Sequence, residues 1–137
     1  MSGKDTITNA FKPLLGQLCW SVENGFSSWL TLNWGTPSVH VTEPRLDSDC
    51  AVFQNRIVNV EGEYRLWVET AKWVVFQDGA KIAQDESDHS LRQHAAAMLK
   101  GQKLLGLDVE LGVPMTEFTF DLGGRLCVAR YQDWGPK

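Results

Sequence analysis

The sequence has no cluster of lysine and arginine residues. Its 13 basic residues are scattered among 17 acidic ones, which gives a net charge of -4. Nonspecific nucleic-acid binding draws its affinity from clustered basic side chains, so this composition argues against it. Apolar runs such as Trp73 to Phe76 are far too short to cross a bilayer. We therefore expect neither nucleic acid nor a membrane as a partner.

The chain also has few cysteines, and their arrangement is not that of a disulfide framework. The three residues Cys19, Cys50 and Cys127 are odd in number and widely spaced, without a Cys-x-x-Cys pair. Cys19 and Cys127 lie in apolar, strand-like runs, where a thiol usually behaves as a small buried hydrophobe. The first residues show no apolar stretch of the kind found in signal peptides. These features together predict a cytoplasmic protein.

The common motifs of catalysis are missing. The sequence contains no phosphate-binding P-loop, no Gly-x-Ser-x-Gly elbow and no His-Glu-x-x-His motif. His89 and His94 are five residues apart, whereas one metal ion on a helix requires a spacing of three or four. We therefore predict no catalytic residue, no metal and no cofactor, and we lean against an enzyme.

A chain of 137 residues fits one globular domain, residues 1–137, with a core of its own. One principal helix is predicted near residues 88–100, because the run Asp85-Glu86-Ser87-Asp88 supplies an N-cap candidate and Gly101 can end the helix. The expected apolar stripe of this helix contains Leu91, Ala95 and Met98, with His94 and Leu99 at its flanks. His94 is accordingly predicted to be partly buried.

Strand-like segments fill most of the remaining chain. They are separated by glycine turns, and Asp78-Gly79 between two apolar runs predicts a tight type I′ hairpin. The residues before Pro13 fit either a short helix or an extended arm, and a long surface loop is expected from Glu43 to Asn55. The fold class is therefore α+β, mainly antiparallel sheet. The predicted strands are residues 14–22, 29–34, 38–42, 56–60, 63–70, 73–77, 80–83, 103–110, 115–121 and 125–130.

Two parts of the sequence echo each other. Gly16-Gln17 returns as Gly101-Gln102, and the segment 30–35 returns as the similar segment 118–123. One interpretation is a duplication that gave two similar β-meanders with a ligand or partner between them. The other is that any two antiparallel meanders need similar turn glycines and similar alternation.

The six tryptophans suggest where a partner would bind. Most are expected in the core, but Trp67 shares its strand face with Arg65 and Glu69, which predicts partial exposure. Trp and Arg dominate interface hot spots. Asp47 and Asp49 add negative charge in the long loop, and an acidic surface favours a basic partner. The predicted partner-binding residues are Trp67, Arg65, Glu69, Asp47 and Asp49.

Several short motifs together form a layout that can be compared with known proteins. They are Gly16 to Trp20, Trp34 to Pro37, Leu66-Trp67-Val68 with Trp73, Leu99 to Leu104 and Phe118 to Gly123. In this layout the chain resembles a loose group of small bacterial proteins of unknown function. The Gly-Gln and strand-Asp-Gly endings are also similar to those of small immunity-type proteins that neutralise bacterial toxins. The resemblance implies a bacterial cytoplasmic protein and no established activity.

Three functional hypotheses follow from these observations. The first is a noncatalytic, immunity-like domain that binds a protein partner. The second is a small-molecule binder or enzyme with a pocket between the two β-meanders, lined by tryptophans and by His94 or a cysteine. The third is a homodimer that pairs through an edge strand.

Overall fold

A computed structural model describes residues 3–47, 49–110 and 115–130. In these ranges the chain is α+β with antiparallel sheets, as the sequence predicts. The elements, in chain order, are α1 (Gly3–Phe11), β1 (Cys19–Asn24), β2 (Leu30–Trp34), β3 (Ser38–Thr42), β4 (Ile57–Glu61), β5 (Tyr64–Val68), β6 (Ala71–Gln77), β7 (Ala80–Gln84), α2 (His89–Leu99), β8 (Leu104–Glu110), β9 (Met115–Phe120) and β10 (Gly124–Arg130).

The strands form three antiparallel sheets. The first has the order β1-β2-β5, the second β7-β6-β10-β9-β8, and the third is the two-stranded ribbon β3-β4. An isolated bridge between Leu18 and Lys103 joins the start of β1 to the start of β8. The two larger sheets therefore meet at the point where the sequence echo begins.

The echoed Gly-Gln segments contact each other through reciprocal hydrogen bonds. The Gly16 N–H donates to the Leu104 carbonyl at 2.7 Å, and the Gly101 N–H donates to the Cys19 carbonyl at 2.7 Å. Both glycines have a left-handed φ, 83° at Gly16 and 91° at Gly101, which a residue with a Cβ rarely adopts. A second reciprocal pair, at 2.9 and 3.2 Å, runs from Cys19 to Gln102 and from Leu104 to Gln17. The two halves are thus related by a local pseudo-twofold axis at this crossing.

Each helix packs on a strand of the other half of the molecule. The helix α1, which precedes β1, packs on β8, while α2, which precedes β8, packs on β1. Phe11 of α1 meets Phe118 edge to face, with ring centroids 5.2 Å apart. Between these layers lies one core, whose largest fully buried side chains include Trp34, Trp73 and Leu99. No described helix has the length and apolar character needed to span a membrane.

The buried face of α2 differs from the expected one. Ala95, Ala96 and Leu99 are buried, whereas Leu91 is 44% exposed and His94 is also exposed. The reason is Arg92, which shares the buried face and donates to Asn24 Oδ1 at 3.1 Å. A hydrophobicity pattern does not place an arginine toward the core. The predicted stripe therefore differs from the observed buried face by about one residue, which is a rotation of roughly 100° around the helix axis.

The residues before Pro13, for which the sequence allows a short helix or an extended arm, form a helix. The helix α1 ends at Phe11, and a 3₁₀ turn follows over Lys12–Leu14. The strand that the sequence places at residue 14 therefore begins only at Cys19, because the 3₁₀ turn and the left-handed Gly16 occupy the preceding residues.

Two local predictions are confirmed. Asp78 and Gly79 both have positive φ, 53° and 84°, as a type I′ turn requires. The Asp88 carboxylate caps α2 by accepting the Leu91 N–H at 3.0 Å. This backbone bond is the main cause of a lowered pKa at Asp88. From the sequence, the tail at residues 133–137 is expected to fold back through Trp134; this segment lies outside the described residues.

The ribbon β3-β4 continues the β2-β5 hairpin beyond a bend. Trp34 pairs with Tyr64 before the bend, and Ser38 pairs with Glu61 after it. Three residues on one strand, 35–37, face two on the other, 62–63, which is the geometry of a β-bulge. Gly62 allows the close approach, since a Cβ there would lie 2.6 Å from the Trp34 carbonyl oxygen. This bend positions the ribbon beside the outer face of the first sheet.

Candidate binding surface

The outer face of the β1-β2-β5 sheet forms a shallow recess with the ribbon as one wall. Its volume is about 270 Å³. We call it the Trp67 recess. It is lined by Glu23, Thr31, Asn33, Asn59, Val60, Glu61, Arg65, Trp67 and Glu69.

Strand register explains why these residues meet. Thr31 pairs with Trp67 and Asn33 with Arg65 across β2 and β5, and Glu23 of β1 pairs with Thr31. Because paired residues in neighbouring strands point to the same side, all of them lie on one face. The opposite face carries Leu30, Leu32 and Val68, which belong to the core.

Trp67 is the large aromatic side chain of the recess, and it is 56% exposed. This confirms the exposure that the alternation of β5 predicts. The Arg65 guanidinium carbon lies 5.2 Å from the centroid of the Trp67 ring, within the range of a cation–π contact. The contact favours the rotamers of Trp67 that keep its ring beside Arg65.

Arg65 is itself held by the ribbon. Its Nη1 lies 2.9 Å from Glu61 Oε1, and Glu61 Oε2 lies 3.3 Å from His40 Nε2. His40 Nε2 is also 3.0 Å from Ser38 Oγ. The polar side of the ribbon therefore faces the same side as Arg65 and Trp67.

The recess carries an excess of negative charge. Glu23, Glu61 and Glu69 supply three carboxylates, whereas Arg65 is the one basic side chain among the lining residues. Since Arg65 pairs with Glu61, the carboxylates of Glu23 and Glu69 add a net charge that this arginine does not neutralise. Such a surface attracts a cationic group.

Below the recess, Asn33 secures the bend. Asn33 is only 6% exposed, and its Oδ1 accepts the Gly62 N–H at 3.0 Å. The Glu63 N–H donates to the Thr36 carbonyl at 3.1 Å, which closes the hairpin at the same level. These bonds set the angle between the sheet and the ribbon wall.

An apolar groove lies on the other side of Trp67. It has a volume of about 220 Å³ and is formed by α1, β5, β9 and β10. Trp67 and Glu69 line both this groove and the recess. The groove runs between the two halves of the molecule, where the sequence echo predicts a pocket, but neither His94 nor a cysteine lines it. Its other lining residues are Ile7, Phe11, Leu66, Val68, Ala71, Thr116, Phe118 and Val128.

Asp47 and Asp49 do not belong to the recess. Both are exposed, and they lie in the loop 43–56 that joins the far ends of β3 and β4, beyond the pair Thr42–Ile57. The recess instead adjoins the ribbon at Asn59, Val60 and Glu61. The structure therefore brings together Arg65, Trp67 and Glu69 and leaves the two aspartates at the opposite end of the ribbon.

The thiols differ in their surroundings. Burial of Cys19 raises its pKa to about 12, and burial also raises the pKa of the half-buried Cys127 thiol. Both thiols are thus protonated at neutral pH and poor nucleophiles. Cys50 is exposed in the loop 43–56. Within residues 3–47, 49–110 and 115–130, no three metal-binding side chains are grouped as a metal site would require.

Four further polar residues of the recess have no distinctive local motif. Glu23, Thr31, Asn33 and Glu61 come from three different strands, so only strand order and register bring them beside Trp67. The alternation of β5 identifies its own exposed face, but it does not identify the neighbouring strands.

No protein-family model matches this chain, and no curated protein or solved structure is significantly similar to it.

Proposed function

We propose that this protein is a noncatalytic binding domain whose Trp67 recess recognises a basic protein partner. The observation that carries the proposal is the position of Trp67, half-exposed between an acidic recess and an apolar groove. A partner can place a lysine or arginine beside the carboxylates and an apolar side chain in the groove. One aromatic anchor then contacts both.

Electrostatics supports a basic partner. The recess has three carboxylates and one guanidinium, and the whole chain has a net charge of -4. Complementary charge accelerates association and disfavours acidic competitors more than it adds affinity. The affinity would come mainly from Trp67 and the apolar groove, because hot spots are desolvated aromatic anchors.

The pre-formed geometry also supports binding. Arg65 is held by Glu61 and lies over Trp67, so few side chains need to be ordered when a partner docks. Each rotamer-rich side chain ordered on binding costs about 0.5 to 1.5 kcal/mol. An immunity-like role in a bacterial cytoplasm is compatible with this surface and is part of the proposal, since two strand endings of the sequence are similar to those of immunity-type proteins.

The test is recovery of a partner by the tagged protein from its native host, followed by binding measurements with the purified partner. We expect a stoichiometric basic protein that is released at high salt. Trp67→Ala should weaken its binding by about 30-fold or more, the effect of a hot-spot residue. Charge reversal at Glu23 and Glu69 should weaken it further and reduce its salt dependence.

Two variants serve as matched controls. Phe26→Ala removes another strongly exposed aromatic side chain, 75% exposed, which is not among the residues that line the recess. Glu110→Lys reverses an exposed charge on β8. Both should bind as the unmodified protein does. A partner that binds Trp67→Ala with unchanged affinity would refute the proposed site.

The second candidate is a small-molecule binder that uses the apolar groove. The groove's position between the two halves favours it, but a volume of about 220 Å³ is below the roughly 300 to 1,000 Å³ of typical ligand pockets. Titration of small apolar ligands while following tryptophan fluorescence would detect such binding. Saturable quenching that Trp67→Phe removes would favour this function over the first.

A further inference from the structure

One side of the ribbon β3-β4 is entirely aliphatic. Val39 pairs with Val60 and Val41 pairs with Val58, so the four side chains share one face. They are 66, 51, 60 and 53% exposed, in the order Val39, Val41, Val58 and Val60. We call this surface the valine face.

The valine face continues the core-facing side of the first sheet. Along β4 and β5, Val58, Val60, Tyr64 and Leu66 alternate with the polar residues that face the recess. The ion pair between Glu61 and Arg65 places the polar residues of both strands on the same side. Before the bend, the apolar side is covered and contains Trp34 and Val68. After the bend, the same apolar alternation continues, but its side chains are exposed.

A two-stranded ribbon with an exposed aliphatic face is stabilised by a covering layer. Isolated two-stranded hairpins are marginally stable in water and need a further layer on a hydrophobic face. β3 and β4 pair only with each other in the described chain. A second copy of the chain carries the same aliphatic face, so it can supply this layer without any other protein.

We propose that the valine face is a homodimer interface, in which the ribbons of two copies pack face to face. Two copies form a self-complementary contact, because the same patch is used on both. The face has no charged group, so a dimer contact there would not bury an unpaired charge. Pairing along the free edges of β3 and β4 would lengthen the ribbon but would leave the valine face in water. Only face-to-face packing covers it, as in two stacked sheets about 10 Å apart.

The available area indicates how strong this dimer is. The loop at the far end of the ribbon adds two exposed apolar side chains, Leu46 at 85% and Phe53 at 38%. With them, two copies would bury roughly 700 Å² of apolar side-chain surface. Since homodimer interfaces are about 65% apolar, the total is roughly 1,100 Å². That area is just below the range of about 1,200 to 2,000 Å² for stable specific interfaces, so the dimer should be weak and should dissociate on dilution.

This interface is separate from the proposed partner site. The polar side of the ribbon forms the wall of the Trp67 recess, and only Val60 lies in both surfaces. A dimer therefore leaves the rest of the recess available in each copy. Failure of the partner-binding proposal would not affect the dimer, because Trp67→Ala changes no residue of the valine face.

Sedimentation velocity over about 1 to 500 µM protein tests the proposal, because this range spans the dissociation constants of weak interfaces. We expect a shift from monomer to dimer with rising concentration. The double variant Val41→Thr, Val58→Thr keeps side-chain shape and strand propensity but adds two hydroxyls. It should raise the dissociation constant at least tenfold. Circular dichroism establishes whether this variant remains folded.

Asn59→Thr is the control, because it adds a threonine to the opposite side of the same ribbon. It should leave the dissociation constant unchanged. A monomer throughout the concentration range would overturn the proposal. A dimer that resists the valine double variant would also overturn it and would point to edge pairing. A monomer whose valine face binds an apolar dye, with binding lost in the double variant, would show that the face stays exposed in solution and would likewise overturn the dimer.

Discussion

Gln102 is a buried side chain that connects three parts of the molecule. Its Oε1 accepts the Leu122 N–H at 3.2 Å and the Gly124 N–H at 3.0 Å. Its Nε2 donates to the Met98 carbonyl at 2.7 Å and to Gln77 Oε1 at 3.0 Å. It is only 4% exposed. The end of α2, the turn before β10 and the end of β6 therefore depend on one amide group.

The pseudo-twofold relation supplies a natural comparison for Gln102. Its counterpart Gln17 also donates its Nε2 to the carbonyl four residues earlier, that of Pro13. Gln17 is less buried, and within the described residues that bond is the one hydrogen bond of its side chain. The same residue type thus occupies equivalent backbone positions in two different environments.

We predict that Gln102→Met destabilises the protein by about 2 to 4 kcal/mol, because it leaves buried backbone donors without an acceptor. Gln17→Met should cost less than about 1 kcal/mol, since water can replace its exposed bond. Urea unfolding of both variants measures the difference. Equal losses of stability in the two variants would contradict the prediction that the burial of the glutamine side chain decides the cost of its replacement.

At the level of single residues, sequence patterns predicted exposure well where one strand determines it. The exposed position of Trp67 followed from the alternation of β5. The exposed position of His94 did not follow from the helical pattern, because the bond from Arg92 to Asn24 rotates the buried face of α2. Hydrophobic periodicity does not predict the burial of a polar residue that forms a hydrogen bond with another buried polar residue.

Among the structural elements, the bend between the first sheet and the ribbon depends on close backbone contact. A Cβ on Gly62 would lie 2.6 Å from the Trp34 carbonyl oxygen and 3.0 Å from the Trp34 nitrogen. Both atoms belong to the backbone of a strand whose tryptophan is fully buried. The strand cannot move without disturbing the core, so the strain of a larger residue must appear at the bend.

We predict that Gly62→Ala destabilises the protein by about 1 to 3 kcal/mol, as overpacking does. It should also weaken partner binding, because the ribbon wall of the Trp67 recess shifts. Gly25→Ala is the control, since a Cβ there meets nothing within 4 Å; its effect should stay within about 1 kcal/mol. Thermal unfolding monitored by circular dichroism measures both. A Gly62→Ala protein as stable as Gly25→Ala would contradict a tight bend.

The strands and the main helix were predictable because turns and caps are local. Asp78-Gly79 and Asp88 each specify their structure within a few residues of chain. The bulge at residues 35–37 and 62–63 was not predicted, since it depends on two segments that are distant in sequence. For the same reason the recess was predicted only in part: Arg65, Trp67 and Glu69 share one strand, but Glu23 and Glu61 reach them from two others.

In the whole molecule, the pseudo-twofold crossing and the ribbon contribute in different ways. The reciprocal bonds between the Gly-Gln segments lie beside Leu99 and Leu104, which are fully buried. The ribbon, in contrast, contributes no residue to the buried core: in the described chain, that core has no member between Trp34 and Val68. The second half has no such ribbon, because Gly123 leads directly from β9 into β10. The ribbon is thus an addition to one half of a symmetric framework.

This difference predicts that the ribbon can be removed. Residues 37–62 can be replaced by Asn-Gly, because the Glu63 N–H already donates to the Thr36 carbonyl at 3.1 Å. That bond closes a two-residue hairpin, for which Asn-Gly is a favoured turn. The shortened protein should unfold cooperatively, since it keeps the core, and it should be monomeric and should not bind the partner. Thermal unfolding, sedimentation velocity and the partner-binding assay measure these three outcomes. Loss of cooperative unfolding would show that the ribbon stabilises the core, and retained dimerisation would place the dimer contact on the framework itself.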